Sequence, residues 1–412
     1  MAAERILVVG ASLAGLRAAQ AARAAGFDGE LMVVGAERHP PYTRPPLSKA
    51  LLAGEQTGEQ CALPCRNLEV EWLLDSAASE LDRTNKRVRL EGGDRLSYDR
   101  MIIATGCRAR PWRGAGAALE GVHTLRTIDD ALALQAALEA RPRLLVVGAG
   151  FLGCEVAATA RGRGLEVTVV DIAAHPMLPL GAELGKRCAR LHREHGVDLR
   201  CGTGIEVLHG RDRVEAATLS DGSRVEADAV LFALGAVSNI EWLAGSGLAD
   251  GSGVACDATL TARADPDILA AGDVAAWPHA LAGGAQVRVE HWTTAAEHGQ
   301  LAGANVLKEP EARAAAEAPP YFWSDQYDVK IQSVGFPNLC DELELLESTP
   351  GGERFIAAGA RDGRLVAVVA WNAAKRLTWY RRQLLSPPAF EELKVVVAGD
   401  QTALGAPAGA LA

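Results

Sequence analysis

The sequence predicts an α/β protein that contains two Rossmann-like dinucleotide-binding domains and a C-terminal α+β domain. Three observations predict this fold class. An apolar strand, a glycine-rich turn and an alanine-rich helix occur twice, at residues 8–26 and 146–164. Short alternating apolar runs follow from residue 321 onward and include the turn-forming pair Asp362-Gly363. With 412 residues, the chain is long enough for two or three domains.

The bulk composition excludes several classes of protein. The hydrophobic fraction of 49% and the charged fraction of 23% are typical of a folded globular chain. The formal net charge of −10 argues against binding to nucleic acid, because phosphate contacts need clustered lysine and arginine. No apolar run in the sequence approaches the roughly 18 residues that a membrane span needs. We therefore expect a cytoplasmic protein with neither a nucleic-acid nor a membrane partner.

The eight cysteines are scattered along the chain and predict no disulfide framework. Cys61 and Cys65 form a close pair, but their spacing fits neither a zinc site nor a thioredoxin-type motif. A redox or metal role for this pair is the minor alternative. We therefore expect no metal site.

The first glycine turn joins a predicted strand at residues 5–9 to a predicted helix at residues 14–25. In such a turn the first glycine permits a tight bend, the second lets the backbone approach a pyrophosphate, and the third lets the helix pack closely on the strand. The helix N-terminus offers N–H groups and a positive dipole end to the phosphates. Ser12 stands in place of the middle glycine and weakens the match. The predicted cofactor-binding residues of this turn are Gly10, Ser12, Leu13, Ala14 and Gly15.

The second glycine turn carries the complete G-x-G-x-x-G pattern after a predicted strand at residues 144–147. One such motif alone is weak, because small residues also serve ordinary packing of a helix on a strand. Two motifs in the correct context indicate two bound dinucleotides, and two βαβ units without a nucleotide are the alternative. The predicted binding residues of this turn are Gly148, Gly150, Phe151, Leu152 and Gly153.

Each turn is followed by a candidate acid for an adenosine ribose. Asp171 ends the strand after the second turn, where a carboxylate binds the ribose 2′-OH. Because a carboxylate repels a 2′-phosphate, Asp171 favours NADH over NADPH. After the first turn, Gly35 occupies the equivalent position and Glu37 follows two residues later. Glu37 is the ribose candidate of the first dinucleotide.

Three further apolar strands end in glycine turns and complete the predicted nucleotide domains. The last of these turns ends in an acid that can hydrogen-bond a ribityl chain, although an ordinary aspartate at a strand end is the alternative. The predicted cofactor-binding residues of these turns are Ala104, Thr105, Gly106, Gly235, Gly272 and Asp273.

The order of these motifs resembles the two-dinucleotide-binding-domain flavoproteins of the glutathione-reductase superfamily. Residues 40–52, 288–299 and 321–335 are similar to the FAD-dependent, NADH-linked ferredoxin reductases that serve cytochromes P450 and Rieske oxygenases. This resemblance covers essentially the whole chain. It implies that the first turn holds FAD and that the second holds NADH. The disulfide reductases of the superfamily carry a reactive cysteine pair after the first βαβ unit, whereas this chain has the sequence RPPLSK there.

The resemblance implies an FAD-dependent NADH:ferredoxin reductase. NADH gives up two electrons as a hydride and an iron–sulfur cluster accepts electrons singly, and a flavin can do both. The implied partner is a small [2Fe-2S] or [3Fe-4S] ferredoxin and, through it, a cytochrome P450 or a Rieske oxygenase. A rubredoxin reductase is the alternative within this class. A flavoprotein of low flux that is similar to apoptosis-inducing factor is the alternative from another class.

By the same resemblance, Lys49 lies close to the isoalloxazine, Glu155 lies near the nicotinamide, and the two form an ion pair that serves hydride transfer. They are the predicted catalytic residues. Arg44 is expected to reach the adenosine or the pyrophosphate of FAD. A solvated position is the alternative for Lys49 and for Arg126, which precedes a helix with Thr127 as its predicted cap. The resemblance adds these FAD-binding candidates: Arg126, Glu290, His291, Trp292 and Trp323.

The chain departs from the family pattern at one position. Relatives often carry an arginine about eight positions after the ribose acid, but this chain has Pro179 there. His175 is the candidate substitute for the arginine. The departure leaves the strength of NADH binding open.

We expect a discontinuous FAD-binding domain at residues 1–111 and 237–319, an NADH-binding domain at residues 112–236 and a C-terminal domain at residues 320–412. Residues 311–320 are predicted to be a linker. The C-terminal domain should contain an antiparallel sheet and a terminal helix around residues 378–385. An acidic ferredoxin should dock on a basic cluster, for which a solvated helix face is the alternative. This cluster consists of Lys375, Arg376, Arg381 and Arg382.

Overall fold

The computed structural model describes residues 4–65, 68–400 and 402–405. The chain divides into two compact units. The first comprises Met1–Thr43, Cys61–Arg108 and Val237–Pro320, and the second comprises Arg44–Gln60, Ala109–Ala236 and Tyr321–Ala412. Residues 44–60 therefore group with the second unit, whereas the sequence places them in the expected FAD-binding domain. The expected domain limits at residues 1 and 412 lie outside the described residues.

The longest of the described helices has 14 residues. No helix among the described residues is both long and apolar enough to cross a membrane. In chain order the described helices are α1 (Leu13–Ala24), α2 (Ala50–Ala53), α3 (Ile128–Glu139), α4 (Phe151–Gly162), α5 (Ala182–Glu194), α6 (Trp292–Asn305), α7 (Ala374–Gln383) and α8 (Phe390–Gly399).

The strands are mostly short. In chain order the described strands are β1 (Arg5–Val9), β2 (Glu30–Val34), β3 (Glu71–Leu73), β4 (Ala78–Asp82), β5 (Arg87–Leu90), β6 (Arg95–Ser97), β7 (Arg100–Ile103), β8 (Cys107–Ala109), β9 (Val122–Thr124), β10 (Leu144–Val147), β11 (Val167–Asp171), β12 (Asp198–Cys201), β13 (Ile205–His209), β14 (Ala216–Leu219), β15 (Arg224–Glu226), β16 (Ala229–Phe232), β17 (Ala236–Ser238), β18 (Val254–Ala255), β19 (Ile268–Ala270), β20 (Ala275–Pro278), β21 (Gln286–Arg288), β22 (Tyr321–Gln326), β23 (Val329–Gly335), β24 (Glu342–Ser348), β25 (Phe355–Arg361) and β26 (Arg364–Trp371).

The first unit is built on a five-stranded parallel sheet with the strand order β19-β7-β1-β2-β3. The central strand β1 is buried from its second residue onward, as expected for a parallel strand that is covered on both faces. Helices α1 and α6 pack closely, because a Cβ at Gly299 or Gly303 would lie within 2.3 Å of a backbone oxygen of α1. The carboxyl ends of β1, β7 and β19 share one edge of the sheet, where ligands bind in folds of this kind.

The second unit contains a parallel sheet of the same design, with the strand order β12-β11-β10-β16-β9. Its central strand β10 is buried at all four residues. The start of α3 confirms the predicted cap, because the Thr127 hydroxyl accepts a hydrogen bond from Asp130 N and the Asp130 carboxylate accepts one from Thr127 N. The carboxyl ends of β10, β11 and β16 again meet at one edge of the sheet.

An antiparallel sheet with the strand order β22-β23-β26-β25-β24 completes the second unit. The predicted hairpin is confirmed, because β25 and β26 are joined by Asp362 and Gly363. Their φ angles are 51° and 69°, the left-handed pair that a two-residue type I′ turn requires.

The predicted terminal helix is wrong in extent. Helix α7 begins at Ala374, four residues before the predicted start at 378, and a second helix, α8, follows it. Helix α8 contains three consecutive valines at 395–397, whose β-branched side chains give a weak helix signal. Glu391 and Glu392 in its first turn offset this weakness, because they interact favourably with the positive end of the helix dipole.

Candidate functional site

The first glycine turn has the geometry of a nucleotide-binding turn. Gly10 has φ +126°, and a Cβ there would lie 2.1 Å from the carbonyl oxygen of Ala104. A Cβ at Gly15 would lie 1.8 Å from the carbonyl oxygen of Gly10, so only glycine lets α1 approach the strand this closely. The structure therefore brings the predicted residues of the first turn together with Ala104 at the end of β7.

The second turn repeats this geometry. Gly148 has φ +107°, and a Cβ at Gly153 would lie 1.9 Å from the carbonyl oxygen of Gly148. Gly150 differs from both, because a Cβ there would meet no described heavy atom within 4 Å. Since Gly150 caps α4 without a side chain, the N-terminus of this helix is open to a phosphate. Ser12 occupies the equivalent cap of α1 with φ −111°, an extended backbone that any residue adopts.

The two ribose candidates lie at the predicted strand ends. Asp171 is fixed beside the second turn, because its carboxylate accepts hydrogen bonds from Ala149 N at 2.5 Å and from Ala173 N at 2.7 Å. In the first unit, a Cβ at Gly35 would lie 2.4 Å from the Cβ of Ala11, which explains the glycine there. The Glu37 carboxylate follows two residues later and accepts a hydrogen bond from the Tyr42 hydroxyl.

Gly272 and Asp273 lie between the N-terminal ends of α1 and α6. A Cβ at Gly272 would lie 3.1 Å from the Cβ of Ala14 and 3.5 Å from that of Ala295. The Asp273 carboxylate is 7% exposed and accepts a hydrogen bond from the Cys107 thiol at 3.2 Å. The structure thus places a buried carboxylate one residue after the contact of Gly272 with Ala14.

Residues 290–292, which lead into the first turn of α6, belong to the same unit. Burial lowers the pKa of His291 to about 4, against the opposing effect of the Asp273 carboxylate, so the ring is neutral at pH 7. Trp292 donates from its indole N–H to the Thr43 hydroxyl at 3.1 Å. Glu290 forms an ion pair with Arg288 at 2.6 Å.

The predicted ion pair of Lys49 and Glu155 is confirmed, with Nζ and Oε2 2.6 Å apart. Glu155 is only 6% exposed, and two serine hydroxyls also donate to its carboxylate. Ser48 donates to Oε2 at 2.6 Å and Ser324 donates to Oε1 at 2.8 Å. The sequence did not identify these serines. The one available signal for Ser324 was a small polar residue among aromatic neighbours in β22.

The hydrogen bonds continue from Ser324 into the core of the second unit. Gln326 donates from Nε2 to the Ser324 hydroxyl at 3.1 Å, and its Oε1 lies 3.0 Å from His192 Nε2 and 3.5 Å from Cys188 Sγ. Hydrogen bonding with Cys188 and burial raise the pKa of the Cys154 thiol. The same hydrogen bond, together with His192, lowers the pKa of the Cys188 thiol.

The other predicted FAD-binding residues of the second unit lie in two places. Arg44 donates from Nη1 to the carbonyl oxygen of Arg126 at 2.6 Å, and both side chains are half-buried. Trp323 is half-buried in β22 and stacks on Tyr321, with ring centroids 6.1 Å apart.

The remaining predicted residues lie in turns after strands. Gly235, a predicted NADH-binding residue, follows β16 with φ +82°. Thr105 and Gly106 follow Ala104 in the first unit.

The expectation of an exposed basic cluster needs correction at one residue. Arg376 is not part of an exposed basic cluster, because its side chain is 9% exposed and pairs with Glu347 and Asp400, each at 2.7 Å. Lys375, Arg381 and Arg382 are exposed as expected.

His175, the candidate substitute for the missing arginine, is half-buried in the structure. Its Nδ1 lies 3.0 Å from the carbonyl oxygen of Pro176, and its ring packs against Gly185 of α5.

Residues 4–299 match the pyridine nucleotide-disulphide oxidoreductase family, and residues 321–396 match the reductase C-terminal family. The biphenyl dioxygenase system ferredoxin–NAD(+) reductase component of Paraburkholderia xenovorans is 34% identical over 379 residues, which cover 91% of each protein. Putidaredoxin reductase CamA of Pseudomonas putida is 34% identical over 352 residues, which cover 82% of each.

The crystal structure of the covalent putidaredoxin reductase–putidaredoxin complex matches the fold with a TM-score of 0.89 at 31% identity. The match covers 98% of this chain and 97% of that chain. These similarities confirm the resemblance that the motifs indicate. The chain therefore belongs to the pyridine nucleotide-disulphide oxidoreductase family, within its FAD-dependent ferredoxin–NAD(+) reductases.

Proposed function

We propose that the chain is an NADH:ferredoxin reductase that uses FAD to pass electrons to a small [2Fe-2S] or [3Fe-4S] ferredoxin. Through this ferredoxin it serves a cytochrome P450 or a Rieske oxygenase. The observation that carries the proposal is the pair of glycine turns, each of which places a helix N-terminus at the carboxyl edge of a parallel sheet. The names of the relatives support a ferredoxin as the acceptor rather than a rubredoxin.

The residues of the turns fit two dinucleotides. The open direction at Gly150 leaves room for a pyrophosphate beside the backbone, and Asp171 is held where a ribose hydroxyl can bind. Bound FAD would supply the conversion between hydride transfer and single-electron transfer. We assign the first unit to FAD and residues 112–236 to NADH. The further proposed FAD-binding residues are Arg44, Lys49, Arg126 and Trp323.

Lys49 and Glu155 are the proposed catalytic pair. The buried Glu155 carboxylate holds the Lys49 ammonium in one position. With Lys49 assigned to the FAD site, this positive charge would lie beside the bound flavin. Such a charge favours the arrival of electrons on the flavin. The absence of a basic side chain at residues 172–174, which are Ile-Ala-Ala, favours NADH over NADPH.

Anaerobic stopped-flow mixing of the yellow protein with NADH and with NADPH tests this function. We expect fast bleaching of the flavin by NADH, followed by rapid reoxidation by a [2Fe-2S] or [3Fe-4S] ferredoxin and slow reoxidation by rubredoxin. Glu155→Ala should slow the bleaching at least tenfold, whereas Glu194→Ala, at an exposed position of α5, should leave it unchanged. A protein that takes up no flavin on reconstitution, or that no iron–sulfur carrier reoxidises, would contradict the proposal.

We also propose a cytoplasmic location. The eight cysteines are scattered along the sequence and form no disulfide framework, which is typical of a chain from a reducing compartment.

A further inference from the structure

A cluster of side chains with sulfur, nitrogen and oxygen donor atoms lies in the core of the second unit, next to the second glycine turn, where Cys154 Sγ lies 3.4 Å from the carbonyl oxygen of Ala149. Cys154 belongs to α4, Cys188 and His192 belong to α5, and Gln326 belongs to β22. Each of the four residues is at most 1% exposed. Cys188 and His192 are four positions apart on one helix, so their side chains share one face.

The ligand atoms are close enough to bind one ion. The two Sγ atoms and a ring nitrogen of His192 lie within 4.8 Å of one another. Gln326 supplies a fourth atom, because its Oε1 is 3.0 Å from His192 Nε2 and 3.5 Å from Cys188 Sγ. A tetrahedral zinc site with ordinary bond lengths has corresponding N–O and S–O edges of roughly 3.4 and 3.6 Å.

The surrounding groups orient the ligands. The Tyr327 hydroxyl lies 3.2 Å from His192 Nδ1, which leaves Nε2 as the ligand atom. Metal-binding histidines usually have their second nitrogen held in this way. The His195 ring stacks on Tyr327 at 3.7 Å and fixes it in turn. Gln326 Nε2 donates to Ser324, so that its Oε1 points into the cluster.

We propose that Cys154, Cys188, His192 and Gln326 form a binding site for a thiophilic divalent metal ion, and that Zn²⁺ fits this donor set best. Binding replaces the protons of the two thiols, and both protons go to solvent. The ion and two thiolates together carry no net charge, which suits a site with no exposure to water. None of these four residues is a proposed FAD- or NADH-binding residue, so the metal site does not depend on the proposed function.

The site also adjoins the catalytic pair. Gln326, Ser324 and Glu155 form a continuous series of hydrogen bonds. Coordination of Gln326 would therefore fix one end of the series that holds the Glu155 carboxylate.

The full-length flavin-loaded protein, purified without chelators, allows a direct test. After incubation with Zn²⁺ and removal of free metal, mass spectrometry of the metal should find about one zinc per chain. Co²⁺ added to the metal-free protein should give the intense visible absorption of a tetrahedral thiolate site, beyond the absorption of the flavin. Cys188→Ser and Cys154→Ser should each retain at least tenfold less zinc.

Cys256→Ser is the matched control, because Cys256 is fully buried in the first unit and lies outside the cluster. It should retain as much zinc as the unchanged protein. Three results would overturn the proposal: no retained zinc, equal retention in the Cys188→Ser variant, or a mass two daltons lower that reports a Cys154–Cys188 disulfide. If the serine variants do not fold, the Co²⁺ spectrum of the unchanged protein decides, since weak octahedral bands exclude two thiolate ligands.

Discussion

Glu155 is a charged residue that the protein has almost removed from water. Its carboxylate accepts hydrogen bonds from Ser48, Lys49 and Ser324, which come from two segments far apart in the sequence. Burial of a charge costs free energy unless it is paired, and a hydrogen bond to a charged group contributes about 1.5–3 kcal/mol. The serines therefore position the carboxylate that positions Lys49.

Ser324→Ala removes one of these donors without changing the shape of the core. We expect the rate of flavin reduction by NADH to fall roughly tenfold, because a loss of about 1.5 kcal/mol in orientation corresponds to that factor. Stopped-flow absorbance of the flavin measures this rate. Ser333→Ala is the control, since Ser333 is buried in the same sheet and its hydroxyl has no hydrogen-bond partner among the described atoms. Equal effects of the two substitutions would refute the positioning role.

Asp171→Asn tests the assignment of the ribose acid. The substitution removes the negative charge that repels a 2′-phosphate, so we expect the ratio of kcat/KM for NADH to that for NADPH to fall at least tenfold. Steady-state assays with a ferredoxin or with an artificial acceptor give this ratio. Asp198→Asn on the neighbouring strand β12 should leave it unchanged, because Asp198 is exposed and pairs with Arg200. An unchanged ratio in Asp171→Asn would place the ribose elsewhere.

At the residue scale, the motifs predicted Asp171 and the resemblance predicted the pair of Lys49 and Glu155. Ser48 and Ser324 were missed, because a hydrogen bond to a buried carboxylate depends on the tertiary structure and leaves no periodic pattern. The same holds for the cluster around Cys188, because long stretches of chain separate Cys154 and Gln326 from the helix that carries Cys188 and His192.

The second glycine turn tolerates a side chain at one glycine and excludes it at another. Gly153 meets a backbone oxygen, whereas the side-chain direction at Gly150 is open. Overpacking of a close contact typically costs 1–3 kcal/mol. The difference separates the structural glycine from the glycine that serves a ligand.

Gly153→Ala should lower the free energy of unfolding by about 3 kcal/mol, because α4 must move away from Gly148. Gly150→Ala should change it by less than about 1 kcal/mol but should raise the KM for NADH several-fold, because the added methyl group occupies the place of the pyrophosphate. Urea denaturation followed by circular dichroism and steady-state kinetics measure the two effects. Equal destabilisation by both substitutions would be inconsistent with the open direction at Gly150.

At the element scale, the sequence predicted β1, β10 and the hairpin of β25 and β26 at their observed positions, because strong local signals define them. Helix α8 was missed since its valines resemble a strand, and only its packing in the second unit selects the helix. The start of α7 was placed late for a related reason. Ala374 and its neighbours carry no capping signal, because Ala373 at the N-cap offers no hydrogen-bonding side chain.

Two buried histidines make the stability of the whole molecule depend on pH. Burial lowers the pKa of His291 to about 4 and that of His298 to about 3. The Asp273 carboxylate opposes both shifts, and His279 adds to that of His298. In the unfolded chain these histidines bind protons near pH 6.5, whereas in the folded chain they do so only near pH 4 and pH 3. Their contribution to the free energy of unfolding is therefore complete above pH 6.5 and is lost between pH 6.5 and about pH 3.

We expect the free energy of unfolding to fall by about 2 kcal/mol for each of these histidines between pH 7 and pH 5. Urea titrations of the flavin-loaded protein at several pH values, followed by tryptophan fluorescence, measure this slope. His298→Asn should reduce the slope by about half. A pH-independent free energy over this range would show that the histidines are accessible to protons in the folded state.

At the scale of the whole molecule, the family resemblance anticipated the oxidoreductase architecture, and the comparisons confirm it. The grouping of residues 44–60 with the second unit could not be read from the sequence, because it depends on contacts such as those of Ser48 with Glu155 and Thr159. Arg376 was wrongly predicted to be part of the exposed basic cluster, because its partners Glu347 and Asp400 lie far from it in the chain and cannot be recognised from the sequence.

The repeated turn geometry also has a consequence for diversification of this chain. In a saturation-mutagenesis library selected for yellow colonies, residues 10 and 15 and residues 148 and 153 should form two matching blocks of near-invariance. The middle positions should behave differently, with small polar residues enriched at position 12. Engineering of coenzyme choice should therefore vary residues at the strand ends, such as Asp171, and keep the four glycines of the two turns.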